Sequence, residues 1–287
     1  MKEVTAFVLP SRKFYKILTE DDQIMDFQLK NKTALITGGS RGIGRAIALM
    51  LADQGVNVAI CGRSQDSLDQ TVADLKDKGI KAWGYKADVS RIEDIEKFVL
   101  DATKAAGSLD FLINNAVTST SAPFDELTDD EFRYHIDVKL MAYIRIARLV
   151  LPHMQSRGAG RIINIGGMTA RIVAPLRITN GVANAGVANF TKQFANYAAR
   201  FNVTVNCIHP GYTATERATQ MFESEASQTG EDIDTVISRR VKDIPLGKLI
   251  QPEDIAAAAL FFCSPMANMV TGQCIAVDGG SGEAVAY

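Results

Sequence analysis

The sequence predicts one soluble α/β domain, a doubly wound Rossmann-type parallel sheet held between two helical layers. Three observations carry that prediction. Short β-rich runs alternate with amphipathic helical stretches. The first such run passes through a glycine cluster directly into a helix. The chain has 287 residues, 47% of them hydrophobic, which is enough for one large core.

Strands are expected at 33–37, 56–62, 81–85, 111–114, 161–165, 203–208 and 274–277, where β-branched and apolar residues cluster between turn formers. Helical periodicity places helices at 43–54, 67–78, 92–106, 129–155, 185–200 and 252–262. Pro252 followed by Glu253 and Asp254 suits a first turn, where a missing N–H costs nothing and carboxylates face the positive end of the dipole. The polar stretch 213–245 interrupts the alternation and reads as a substrate lid. Residues 1–28 match no sheet element and are expected to form an N-terminal extension packed on the surface or on a neighbouring subunit, leaving 29–287 as the domain.

Composition excludes several classes of partner. A formal net charge of -2 without a basic run gives no field for nucleic acid or anionic lipid. The four cysteines (Cys61, Cys207, Cys263 and Cys274) are far apart in sequence, with no Cys-x-x-Cys pair and no histidine at ligand spacing. They read as buried thiols in a reducing compartment, and no metal site is expected. No apolar run reaches membrane-spanning length, the patch Ala6-Phe7-Val8-Leu9 is too short for a signal core, and Glu3, Glu20, Asp21 and Asp22 do not suit a mitochondrial leader. A cytoplasmic location is expected.

The chemistry begins at Thr37-Gly38-Gly39-Ser40-Arg41-Gly42-Ile43-Gly44, between the first strand and the first helix. Glycines there permit positive φ, let backbone N–H groups approach a pyrophosphate, and place the anion at a helix N-terminus. A lone glycine motif is weak evidence; one set between a strand and a helix is strong. The second strand ends Cys61-Gly62-Arg63-Ser64, without a carboxylate to bond free ribose hydroxyls. Arg63, helped by Arg41, can instead grip a 2'-phosphate, which favours NADP(H) over NAD(H); the alternative is that either arginine is a solvated surface charge.

The glycine segment, together with Asn114-Asn115-Ala116 after the fourth strand, Pro210-Gly211 after the sixth and Val277-Asp278-Gly279-Gly280 near the end, resembles the short-chain dehydrogenase/reductase family over roughly residues 28–280. The resemblance implies that Gly38, Ser40, Arg41, Gly42, Ile43 and Gly44 cradle a nicotinamide dinucleotide. It places Arg63 and Ser64 at its phosphate and Asp88 and Val89 at the adenine edge. Asn114, Asn115 and Ala116 fall on the adenosine ribose side, and Pro210, Gly211, Thr213 and Thr215 near the nicotinamide amide. It also implies subunit pairing through the helices around 129–155 and 185–200, giving a homodimer or homotetramer, or a heteromer with an intact relative.

In the family a tyrosine, its phenol brought down from a pKa of ~10 by a lysine, gives a proton to the alkoxide that hydride arrival creates. A serine holds the substrate oxygen and an asparagine organises a water. By resemblance those four positions are matched here by Asn180, Asn184, Gly167 and Lys139 respectively. An asparagine amide donates a hydrogen bond but surrenders no proton at neutral pH. The lysine and asparagine look exchanged, so the Lys139 ammonium is expected to turn into the vacated space; an outward or salt-bridged lysine is the alternative.

Tyr143 lies one helical turn after Lys139 and reads as core. His209, beside Pro210-Gly211, is a further acid–base candidate set against a packed strand-end histidine. Tyr212, Thr118, Ser119 and Ser121 border the expected pocket for a small-molecule substrate. Three functions follow: an NADP(H)-dependent oxidoreductase acting without the tyrosine on an activated carbonyl or conjugated substrate; a redox-inactive subunit supporting an active relative; or a lyase, isomerase or cyclase on the same fold.

Overall fold

The computed structural model describes residues 26–282. The expected N-terminal extension therefore lies outside the described residues apart from its last three. The chain runs β1 (Thr33–Thr37), α1 (Gly42–Asp53), β2 (Asn57–Gly62), α2 (Gln65–Lys76), β3 (Ala82–Lys86), α3 (Ile92–Ala106) and β4 (Phe111–Asn114). It continues through α4 (Asp129–His135), α5 (Ala142–Arg157), β5 (Gly160–Ile165), α6 (Ile178–Ala198), β6 (Val203–Pro210), α7 (Glu216–Thr229), α8 (Ile233–Lys242), α9 (Pro252–Cys263) and β7 (Cys274–Val277).

The strands form one parallel seven-stranded sheet in the order β3-β2-β1-β4-β5-β6-β7. Because side chains alternate along a strand, β1 sends Ala34 and Ile36 to one face, where they join Val58, Ile60, Ile47, Leu51 and Phe262. It sends Leu35 to the other, with Ala59, Phe98, Tyr143, Ile146 and Val187. Helices α1, α2 and α9 thus cover one face and α3, α5 and α6 the other. Burial on both faces explains why β1 reads as an almost unbroken apolar run.

Three departures from the expected elements have physical causes. The helix expected over 129–155 is α4 and α5 joined by a π-helical turn, Ile136–Met141, which contains Lys139; single π turns of this kind re-aim side chains at functional sites. The helix expected from 185 begins at Ile178. Gly181 and the asparagines lower intrinsic propensity, but Thr179, Ala183, Val187, Thr191 and Ala195 recur every four residues on the buried face, so packing extends the helix upstream. The stretch 213–245 folds into α7 and α8, clamped by Arg239 and Arg240 on Glu225 at 2.9 and 2.7 Å. As its composition implied, α9 opens with Pro252 inside a capping box formed by Gln251 and Asp254.

At the opposite end of the sheet from the glycine loop, the buried Asp110 carboxylate accepts from the Thr33 backbone N–H at 2.9 Å and from Arg157 Nη2 at 2.8 Å. It joins β1, β4 and α5. Asp110→Ala is expected to leave both donors unsatisfied and lower unfolding stability by about 1–3 kcal/mol; chemical denaturation with an unchanged m-value checks it.

Candidate active site

Strand order reverses between β1 and β4, because the chain winds outward to β3 before returning beside β1. The C-terminal ends of the strands part at that point, which is where open parallel sheets bind ligands. A cleft of about 490 Å³ opens there.

Its floor is the glycine loop. Gly38 and Gly42 hold φ of +62° and +49°, a region that disfavours other residues. A Cβ on Gly44 would lie 2.2 Å from the Gly38 carbonyl oxygen, so only glycine lets α1 approach the loop this closely. The loop is locked to β4 by Asn115, whose side-chain amide donates to the Thr37 and Gly38 carbonyls, both at 3.0 Å. In return the Asn115 and Ala116 backbone N–H groups donate to Thr37 Oγ1 at 2.9 and 3.0 Å.

The rim at the end of β2 is cationic and hydroxylated. Arg41 donates through Nε and Nη2 to Ser67 Oγ at 2.9 and 2.6 Å, and lies 3.8 Å from Glu216. Arg63 Nη1 donates to Tyr134 OH at 3.4 Å, and Ser64 caps α2. Asp88 lines the same wall, with Oδ1 taken by Ser90 N and Oγ at 3.0 and 2.8 Å.

Among the residues singled out from sequence, Gly38, Ser40, Arg41, Gly42, Ile43, Arg63, Ser64, Asp88, Val89, Asn115, Ala116 and Thr215 line this cleft. Five others lie behind it or beside it. Gly44 supports the loop. Asn114 is fully buried in the sheet, its amide donating to Asn164 Oδ1 at 2.9 Å. Thr213 turns to the Gly211 carbonyl at 3.0 Å, and its backbone forms a bridge with Ile250. Gly211 packs against Asp278, where a Cβ would come within 2.8 Å, and Pro210 closes β6 against Val277.

Three of the four altered positions, Lys139, Gly167 and Asn184, meet at the turn after β5. Lys139 is 5% exposed, and its Nζ donates to the Gly166 carbonyl at 3.1 Å, 5.7 Å from the Tyr143 ring centre. It points inward onto that carbonyl and not to solvent. Desolvation by burial, set against the neighbouring Cys207 and reinforced by the Arg217 cation, brings the ammonium down to about 7. Gly167 donates its N–H to His209 Nδ1 at 3.0 Å, and a Cβ on Gly167 would meet the Asn184 amide nitrogen at 2.6 Å. Asn184 occupies the space a serine at 167 would need, donating to Thr169 Oγ1 at 2.8 Å while its own Oδ1 is buried with no donor among the described residues. Asn180 faces the loop after β4, donating to the Thr118 carbonyl and accepting from Ser119 Oγ, both at 3.4 Å.

His209 is fully buried and holds Gly167 rather than lining the cleft. Tyr143, also fully buried, donates to the Ala116 and Ile165 carbonyls at 3.1 and 3.0 Å, a core role. Two of the cysteines that are distant in sequence meet here: Cys207 and Cys274 are register partners on β6 and β7, and with His209 their ligand atoms lie within 4.8 Å of one another. The Cys207 thiol, hydrogen-bonded to Cys274, holds Cys274 below the usual thiol range and is itself raised. Since His209 Nδ1 accepts from Gly167, the neutral ring carries its proton on Nε2, which faces the sulfurs as a donor. No imidazole lone pair is offered to a metal in that arrangement.

Sequence reading missed Tyr134, Val138, Arg217 and Gln220 in the cleft wall. The position of Arg217 directly after Thr215-Glu216 was an available signal; Tyr134 is brought in by helix packing alone.

A glycine-floored cleft at the strand-order reversal of a parallel sheet defines a dinucleotide-binding α/β scaffold of the oxidoreductase class. Comparison with known proteins places it more closely. Residues 38–282 match the family model described as Enoyl-(Acyl carrier protein) reductase. The uncharacterized oxidoreductase YvrD of Bacillus subtilis is 32% identical over 260 residues, covering 89% of this chain and 98% of that protein. The L-sorbose reductase of Gluconobacter frateurii, solved with NADPH and L-sorbose, superposes with a TM-score of 0.88 at 29% identity, covering 91% of this chain and all of that one. A xylitol dehydrogenase solved with NAD+ gives a TM-score of 0.83 at 25% identity over 88% of this chain and all of that one. The chain belongs to the short-chain dehydrogenase/reductase family of oxidoreductases. Among the described residues no helix is long and apolar enough to cross a membrane.

The lowered Lys139 pKa carries a stability signature. The folded value, about 7, lies below the unfolded lysine value of ~10.4, so the unfolded chain binds the extra proton between them and stability rises with pH over that window. Relative to Lys139→Met, wild type is expected to gain about 1.4 kcal/mol per pH unit from pH ~7 towards 10, with no pH dependence of the difference below 7; urea melts of both proteins across that range measure it.

Proposed function

We propose that the protein is an NADP(H)-dependent oxidoreductase that acts on an activated carbonyl or conjugated substrate, with Lys139 in place of the family's tyrosine as the proton source. The observation that carries this reading is the Lys139 amine, buried on the Gly166 carbonyl and poised near neutrality. A general acid works best with a pKa near the working pH, and neither asparagine can fill that role.

The residues fit a nicotinamide dinucleotide. The cradle at Gly38, Gly42 and Gly44 tolerates no Cβ, and backbone N–H groups at the start of α1 face the cleft. Arg41, Arg63, Ser64 and Ser67 supply cationic and hydroxyl donors at the end of β2, which runs Cys61-Gly62-Arg63-Ser64 and itself carries no carboxylate for free ribose hydroxyls, and this favours NADP(H) over NAD(H). When bound, the nucleotide supplies or accepts hydride. The chain's own groups do the rest. Asn180 and Ser119, which meet where α6 faces the loop after β4, offer hydrogen bonds to a substrate oxygen, and the unpaired Asn184 Oδ1 awaits a donor, of the kind a substrate or ribose hydroxyl provides. Helices α7 and α8 act as the lid, and Lys139 returns the proton. Addition to a conjugated system gives a stabilised enolate, which is less basic than a bare alkoxide, so hydride transfer depends less on a proton arriving in the same step.

The test is NADPH oxidation with a panel of enones, activated ketones and plain ketones. Turnover is expected on the first two groups, and Lys139→Met should lower kcat roughly a hundredfold or more with little change in NADPH affinity. Tight NADPH binding with inertness across the panel would overturn the redox reading and leave a cofactor-binding subunit or a non-redox enzyme.

We also propose a homodimer or tetramer built on α5 and α6. Phe190, Phe194 and Tyr197 on α6, with Phe201 just beyond its end, form a ladder with ring separations of 5.2, 6.4 and 5.9 Å, and Tyr197 is 48% exposed. Light scattering is expected to give a multiple of the chain mass, and Phe194→Glu with Tyr197→Glu to give monomer.

A further inference from the structure

Two guanidinium groups stand at the lid side of the cleft without an acidic partner. Arg177, just before α6, donates through Nη2 to Ser119 Oγ at 3.0 Å and to Met221 Sδ of α7 at 3.9 Å. Arg217, on the first turn of α7, lines the cleft beside Tyr134, Val138 and Gln220. Arg217 is itself exposed, and Arg177 reaches the same helix through Met221, one turn further along α7; partial desolvation and the charge of Arg177 hold Arg217 below the usual arginine range. Arg217 also acts on two further groups, opposing protonation of Lys139 and of His135. Neither arginine meets a carboxylate among the described residues, whereas the lid arginines one helix away, Arg239 and Arg240, are both paired with Glu225.

Two cations set along one side of α7 with no carboxylate between them repel each other, and a bound anion relieves that repulsion. The cations and their neighbours offer what a carboxylate needs: two planar N–H forks, the Ser119 hydroxyl and the Asn180 amide. The cleft's other cations are engaged elsewhere: Arg41 donates to Ser67 and lies 3.8 Å from Glu216, and Arg63 donates to Tyr134 OH.

We propose that Arg177 and Arg217 form a receptor for a carboxylate carried by the substrate, so that the molecule handled beside Asn180 and Lys139 is an oxo acid rather than a neutral ketone. The assignment of that molecule as substrate rests on the oxidoreductase reading; the anion site itself does not. A bound carboxylate bridges the mouth of α6 to the first turn of α7, and so closes α7 over the cleft when, and only when, the acid is present.

Calorimetric titration of the full chain, with and without saturating NADPH, would use levulinate, phenylpyruvate and benzoylformate, each beside its methyl ester, with NADPH oxidation followed in parallel. At least one acid is expected to bind about tenfold or more tighter than its ester, the effect of a charge-assisted hydrogen bond. Arg177→Gln and Arg217→Gln should each erase that preference, and Arg217→Lys should retain part of it. Acids and esters binding alike across the set would overturn the proposal. So would an Arg217→Gln variant whose NADPH affinity falls by the same factor as its affinity for the acid, since the guanidinium would then serve a nucleotide phosphate. Preferential acid binding without any NADPH oxidation would sink the redox reading and leave the carboxylate receptor standing.

Discussion

The junction of β1 and β4 is the constraint on which the rest of the molecule depends. Where the winding direction of the sheet reverses, two neighbouring strands send their chains to opposite faces and their ends must part. That opening exposes backbone N–H groups that would otherwise be satisfied in a ladder. Thr37 and Asn115 manage the opening, the backbone and side-chain N–H groups of Asn115 donating across it to the Thr37 hydroxyl and the Thr37 and Gly38 carbonyls. Gly44 lets α1 sit hard against it. The cleft is thus a consequence of topology, and glycine loop, rim arginines and lid are all hung on its edges.

A second hub is the Gly166-Gly167 turn after β5. Lys139 holds the Gly166 carbonyl from α5's side, His209 accepts the Gly167 N–H from β6, and the Asn184 amide packs on Gly167 from α6. These contacts tie the altered positions together. With Asn184 where it stands, a side chain at 167 is excluded, so the glycine and the asparagine form one structural unit. The π-helical turn that contains Lys139 belongs to the same unit, since it sets the direction in which that side chain leaves its helix. In our reading a proton-handling amine has moved from one helix to the other across this turn.

Helices α7 and α8 brace each other through Glu225 and two arginines, and Arg217 stands on the first turn of α7. On our proposal that an anion is held there, the braced pair is the lid and answers the anion as one piece.

The parallel sheet, both helical layers, the glycine loop and most of the cleft floor were legible from sequence, because strand alternation, helical periodicity and positive-φ glycines are local properties that leave local patterns. The start of α6 was not, since Asn180, Gly181 and Asn184 argue against a helix that only burial of Thr179 and Ala183 rescues. Nor was the break in the helix around Lys139, because no residue type marks a π turn. Neither was the partner of Lys139, nor the meeting of Cys207 with Cys274, which depends on β6 and β7 being neighbours in register. The sequence by itself determined the layers, the strand windings and the family. Tertiary structure alone decided which polar groups lose water and which cations face each other, since desolvation and charge proximity depend on distances that chain spacing does not encode.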